Sequence, residues 1–324
     1  RSNLVSNPDN IDIQNRIFSI LVSEGKVKEA LPLAEKLVKS NFAEINLPLL
    51  VLALQDIRAG RYVNAIKKLD NLPKKGINEY SVPMLKAWSL AAGKKYGKAL
   101  RTLENRMNNP GVTALFAPQA GLIAEVAGKR RESEKYFKDA LTHYRQIGAN
   151  LTRLLGSYYE RTNQPVEAEA LYRNYVRANP ISSLFDQSLK RLTARNHRKS
   201  IIVPNRSGVA EALFSLSRSI QPQNPHQAII FNRLALFVDP EFLFAKLSLA
   251  DELNRNNNMH NALALYKSMS KDPMYGWTAR LRVARTYDFL EKADDAAKLL
   301  KTMAKEKKNR TDALVTLGSI YRSR

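Results

Sequence analysis

Apolar residues recur at intervals of three and four along nearly the whole chain, as in Ile17, Leu21, Ala30, Ala34 and Leu37, and again in Ala120, Ala124, Phe137 and Ala140. That spacing puts them on one face of an α-helix, whereas a half-buried strand would alternate. The predicted helices come in pairs. A small or apolar residue in a first helix is followed twelve positions later by an Ala or Ser in a second: Phe18 with Ala30, Ala53 with Ala65, Ala87 with Ala99, Gly121 with Ser133, and Gly156 with Ala168. The series resumes with Leu216 and Ala228, Ala250 and Ala262, Ala284 and Ala296, and ends at Gly318 without a partner. Successive pairs are 34 or 35 residues apart. A single hairpin of this kind cannot bury its apolar face alone, so neighbours are expected to stack into a continuous core.

Turn and breaker residues fall where the pairs require them. Gly25, Gly60, Gly93, Gly128 and Asn163 lie between the helices of their pairs, where a left-handed residue would end the first helix. Pro180 and Pro240 close their units, because the residue before a proline is pushed out of helical geometry. Pro48, Pro83 and Pro165 are expected in first turns, where a missing amide proton costs little, and Pro32 at a kink.

One interruption stands out. Gly156 and Leu216 are 60 residues apart, about 26 more than one period, and the excess falls in 181–207. Within it Leu184 to Leu192 is predicted as an extra helix and 195–206 as a basic loop, together a hinge. The register therefore divides the chain into five repeats (1–180), the insert (181–207), and three repeats with the first helix of a further one (208–324). The final stretch, 311–324, reads as half of a unit, so the chain is expected to be a piece of a longer array.

The order of small residue, aromatic, Ala, aromatic and Pro is carried by Gly156, Tyr159, Ala168, Tyr172 and Pro180, and Leu314, Leu317, Gly318 and Tyr321 repeat its first half. In this the chain resembles the tetratricopeptide repeat (TPR) family. The resemblance implies an all-α, right-handed superhelical solenoid of antiparallel helix pairs whose concave groove, lined by first helices, holds a partner protein or peptide. The stretches 208–214 and 234–240 are similar to long bacterial TPR proteins of the cell envelope, some of which are lipoproteins that tether proteases or assembly factors. A periplasmic or envelope-attached location is the expectation that follows, with the cytoplasm as the alternative. The family's carboxylate clamp is not matched: its places carry Asn15 and Ser19, then Leu47, Leu50 and Val51.

On this register Leu47, Leu50, Leu54, Met84 and Trp88 point into the groove as an apolar patch of the sort that marks a binding site, unless the chain's own segments cover it. Arg153, Arg161, Asp251, Arg255, Arg282 and Arg285 complete the predicted lining, with Leu247 and Asp288 beside them.

Charge adds a second reading. The chain of 324 residues carries 52 Lys and Arg against 30 Asp and Glu, a net +22, so acidic surfaces, nucleic acid or anionic lipid would be drawn to it. Lys67, Lys68, Lys98, Arg101, Lys135, Lys138, Lys298 and Lys301 all fall on second helices, whose outer side faces away from the groove. The family's aromatic places, Tyr159, Tyr172, Tyr266 and Tyr287, are committed to helix packing rather than to stacking on bases. No apolar run is long enough to span a bilayer.

Catalytic constellations are missing. There is no cysteine, so neither a thiolate metal site nor a thiol nucleophile exists. The four histidines, His143, His197, His226 and His260, have no second ligand at metal spacing, and no metal or other cofactor is expected. The turn from Gly93 to Gly97 lacks the spacing and the Ser or Thr of a phosphate loop. Glu125, Glu160 and Asp251 sit on separate first helices and are expected in solvated or groove-lining roles. The function expected is that of a non-catalytic adaptor. The alternatives are a basic-surface binder of nucleic acid or anionic membrane, or the recruitment segment of a longer enzyme.

Overall fold

A computed structural model describes residues 10–40, 45–142, 147–180, 182–194, 206–308 and 310–322. The expected fold class is found: the described residues hold eighteen helices and no strand. The first eight are α1 (Ile11–Ser23), α2 (Val27–Lys39), α3 (Asn46–Arg58), α4 (Tyr62–Asp70), α5 (Asn78–Ala92), α6 (Tyr96–Glu104), α7 (Pro110–Val126) and α8 (Arg130–Thr142). Then come α9 (Ala149–Arg161), α10 (Pro165–Ala178), the extra helix α11 (Asp186–Thr193), α12 (Arg206–Ile220) and α13 (Pro225–Val238). The last are α14 (Leu243–Arg255), α15 (Met259–Ser268), α16 (Gly276–Phe289), α17 (Ala293–Glu306) and α18 (Asp312–Arg322). The basic loop 195–206 lies outside the described residues except for Arg206, as do His143 and His197.

The two residues of each register pair fall on consecutive helices and are buried between them. Phe18, Ala30, Ala53, Ala65, Ala87, Ala99, Ser133, Ala168, Ala228, Ala250, Ala262, Ala284 and Ala296 are all fully buried. The need for a small residue is plainest at Gly156, where a methyl group would stand 2.3 Å from the ring of Tyr172. At Gly121 the same addition would come within 3.0 Å of Phe137, and Ser133 ties the crossing by donating to the Gly121 carbonyl at 2.8 Å.

The turns repeat as closely as the cores. Gly25, Gly60, Lys94, Gly128, Asn163, Asn257 and Glu291 all have positive φ. In every case the next amide donates to the carbonyl five positions back, as in Lys26 to Leu21, Lys95 to Leu90 and Lys292 to Tyr287. This is the Schellman closure of a helix C-terminus. It corrects one expectation. The left-handed place in the third hairpin falls on Lys94, because α5 runs to Ala92 and Gly93 is still its cap, at φ −83. Pro83 is likewise not in a first turn but inside α5, and α2 continues through Pro32.

The hairpins belong to two compact units, each drawn from two stretches of chain. Unit 1 is Arg1–Gln146 with Ser200–Phe242, and unit 2 is Ile147–Lys199 with Leu243–Arg324. This grouping differs from the linear segmentation at 180 and 207, and the reason lies in the α12–α13 hairpin. In unit 1 the hairpins α1–α2 to α7–α8 stack in order, and α12 packs on α5 and α7 while α13 packs on α1 and α3. All four are first helices. In unit 2, α14–α15, α16–α17 and α18 stack in order, and α10 packs on α11. The extra helix is held by Arg191, which reaches the buried Glu160 of α9 at 3.0 Å, and by Asp186, paired with Arg310 at 2.6 Å.

Candidate functional site

In unit 1 the predicted apolar lining is core and not open groove. Leu50, Leu54, Met84 and Trp88 are at most 3% exposed, and Leu47 is half-buried. The chain's own α12 occupies the space. Gly208 lies so close to Trp88 that a methyl group there would stand 2.1 Å from Cε3. The indole nitrogen of Trp88 donates to Gln119 Oε1 at 2.8 Å, and Gln119 donates on to Ser215 of α12 at 3.1 Å. A patch of this size left in water would forgo about 25 cal/mol for each Å² it could bury, and an internal hairpin satisfies it. The sequence did hold a signal for this. Ala228, Ile229, Phe231, Leu234, Ala235, Phe237 and Val238 are all buried around α13, and a helix apolar on every side has neighbours on every side.

Unit 2 brings together three charged residues of the predicted lining, Asp251, Arg282 and Arg285. Arg282 grips Asp251 with two bonds, Nε to Oδ1 at 2.5 Å and Nη2 to Oδ2 at 3.2 Å, and the Tyr266 hydroxyl donates to the same carboxylate at 2.6 Å. Burial and that carboxylate push the Tyr266 phenol well above its usual range. Burial alone would lower the Arg282 pKa, but Asp251 outweighs it and holds the guanidinium charged. One turn further on, Arg285 is half-buried and its pKa is lowered, first by burial and then by repulsion from Arg282, with the charges of Asp251 and Asp312 offsetting this in part.

Both arginines line an open pocket of about 370 Å³ between α16 and the connection from α10 to α11, with Tyr175, Asn179, Ser182, Ser183, Leu184 and Thr278 on its walls. Its floor is fixed by a hydrogen bond of 2.6 Å between the Ser183 and Thr278 hydroxyls. What the arrangement offers is a cation in a polar recess, beside one already neutralised.

Solved structures are similar to this chain. One is the TPR domain of P58(IPK), at 13% identity over 99% of this chain and 90% of that one, with a TM-score of 0.31. Another is Naa15/Naa10 bound to HypK-THB, at 14% identity, a TM-score of 0.35 and 92% coverage of this chain, which spans about half (53%) of that one. No protein-family model and no curated protein matches. Neither structure carries a partner or an activity over to this chain.

The remaining predicted lining residues are dispersed. Arg153 donates to Asn150 at 2.9 Å and stacks over Phe244 at 5.0 Å, Arg161 donates to Ser157 at 2.5 Å, and Arg255 is exposed. Leu247 is core and Asp288 half-buried. Glu160 is not a solvated carboxylate: it is 1% exposed and accepts from both Tyr172, at 2.7 Å, and Arg191. Of the basic residues on second helices, Lys67, Lys98, Arg101, Lys135, Lys138, Lys298 and Lys301 are exposed, while Lys68 is half-buried against the buried Asp56 at 2.5 Å. His226 and His260 are exposed, and no group of metal-ligating side chains occurs among the described residues. No described helix is long and apolar enough to cross a membrane.

Proposed function

We propose that the chain is a non-catalytic interaction scaffold and that unit 2 holds an acidic segment of a partner protein against α16, with Arg285 as the anchoring cation. One observation carries the reading. Arg285 is half-buried in a recess walled by Tyr175, Asn179 and Ser183, and among the described residues no carboxylate stands within ion-pairing distance of it. A cation that burial already disfavours gains from a ligand carboxylate, and the hydroxyl and amide groups around it can orient one. Arg282, held by Asp251, lines the recess beside it. The envelope location belongs to this reading as well, on the sequence resemblance alone.

The test is selection of acidic 12-residue peptides from a random library against the whole chain, followed by titration. Arg285→Ala is expected to weaken the selected peptides about tenfold or more, the usual effect of removing a charged anchor, and Lys298→Gln to leave them unchanged. If no acidic peptide is selected, or if the selected ones bind the Arg285 variant equally well, the reading fails. The exposed lysines and arginines of the second helices favour a second reading, an anionic partner on the outer face. It requires retention on heparin or anionic vesicles that falls steeply between low and physiological salt.

A further inference from the structure

Unit 1 contains a second recess, of about 380 Å³, that no sequence motif marks. It lies where the turn between α1 and α2 meets the end of α3 and the last turns of α13, lined by Gly25, Lys26, Lys28, Glu29, Arg58, Arg233, Leu236, Phe237 and Pro240. Four of these side chains are cationic and one is a carboxylate.

The two arginines are placed as ligands are. Arg233 lies flat on the left-handed Gly25, with Cδ 3.0 Å and Nη1 3.1 Å from where a methyl group on that glycine would stand. Arg58 stacks its guanidinium over the Phe237 ring at 4.4 Å. Stacking fixes a guanidinium plane and leaves its edge free. The Nε of each is shut off from solvent and has no acceptor among the described residues. Burial lowers the pKa of both, with Arg206 adding to the effect at Arg58 and Glu24 offsetting it at Arg233. Glu24 is itself engaged by Lys26 at 2.5 Å.

Backbone polarity adds to the side chains. No side chain caps the start of α2, at Lys26, and Lys26, Lys28 and Glu29 of that first turn line the recess, so the positive end of the helix dipole lies beside it. Two partly buried guanidinium groups, two lysines and one carboxylate, Glu29, line one small volume, whose other wall, Leu236, Phe237 and Pro240, is apolar.

We propose that this recess is a binding site for a phosphomonoester group, with Arg58 and Arg233 as its bidentate ligands, Lys28 as a peripheral charge, and the apolar wall receiving whatever the phosphate is attached to. A doubly charged oxyanion fits better than a carboxylate, because it has enough acceptor oxygens for two guanidinium groups and carries the charge to match two arginines and a lysine. The volume falls within the range of small-molecule sites. This site is independent of the peptide reading for unit 2, and either can fail without the other.

The experiment titrates the whole chain with inorganic phosphate and with glycerol 3-phosphate at constant ionic strength set by chloride, and separately measures binding to vesicles containing phosphatidic acid. Thermal midpoint and calorimetry are the readouts. Either soluble ligand is expected to raise the midpoint where chloride does not. Arg233→Gln should weaken binding about tenfold, Lys28→Gln about threefold, and Lys298→Gln not at all. Circular dichroism checks that the arginine variant folds, and the exposed Lys28 gives a variant that leaves the core untouched. Binding to the vesicles alone, lost in both recess variants, would make the phosphate a lipid headgroup. If neither phosphate nor vesicles bind beyond chloride, or if binding ignores both recess variants, there is no such site.

Discussion

At the scale of single residues, hairpin closure asks for a left-handed backbone whatever side chain occupies it. Gly and Asn meet that demand readily, whereas Lys94 and Glu291 adopt φ 59 at a cost. Lys94→Gly is expected to stabilise unit 1 by about 0.5 kcal/mol, the relief of strain less the extra entropy glycine brings to the unfolded chain, as read from urea unfolding. Asp312 makes a different demand. Burial pushes its carboxyl up, but bonds from Arg310 at 2.6 Å and from the Trp277 indole at 2.9 Å prevail and hold it below the usual range. A carboxylate with a lowered folded pKa stabilises above the ordinary carboxyl value, and that contribution is lost as the pH falls through it toward the folded one. Asp312→Asn should therefore lower the urea midpoint reported by Trp277 at pH 7, with the gap narrowing as the pH falls below the ordinary carboxyl value. A constant gap would mean that the charge is not what matters there. Asp186, on the other side of Arg310, has its carboxyl raised by burial, so its own contribution runs the opposite way and grows as the pH falls.

At the scale of helices, two glycines make opposite predictions. Gly318 of α18 has open space where a methyl group would go, so Gly318→Ala should stabilise that helix by about 0.5 to 1 kcal/mol. Gly208→Ala, driven into the Trp88 ring, should destabilise unit 1 by about 2 to 3 kcal/mol. Calorimetry on both variants checks the pair. Helix pairing is legible in the sequence, because small residues at a fixed spacing are a local property, and every pair from Phe18 with Ala30 to Ala284 with Ala296 falls on consecutive helices. What covers the other face of a first helix is not local. The spacing of Leu50, Leu54, Met84 and Trp88 reads identically whether a partner or the α12–α13 hairpin lies on them, and the deciding contact, Gly208 on Trp88, joins residues far apart in the chain. The same limit hid the phosphate recess: Gly25 was readable as a turn, but nothing near it announces Arg233. In unit 2 the register did point to Asp251, Arg282 and Arg285, since one repeat spacing separates facing places on neighbouring first helices.

At the scale of the molecule, each unit has one tryptophan, Trp88 in the first and Trp277 in the second. Single-tryptophan variants therefore report the two cores separately. In the Trp277→Phe background Leu69→Ala, a buried truncation in unit 1, should shift the unfolding curve, and in a Trp88→Phe background it should not. Equal shifts would mean that the two cores melt as one cooperative body. The order of elements within the units has a further result during synthesis. Hairpins α1 to α8 are complete once residue 142 has emerged from the ribosome, yet the helices that cover Trp88 and Leu54 end only at Val238. At about 5–20 residues per second, nearly a hundred further residues leave that lining bare for roughly five to twenty seconds. For that interval every nascent copy presents a sticky hydrophobic surface, and holdase chaperones would find it before its own hairpin does.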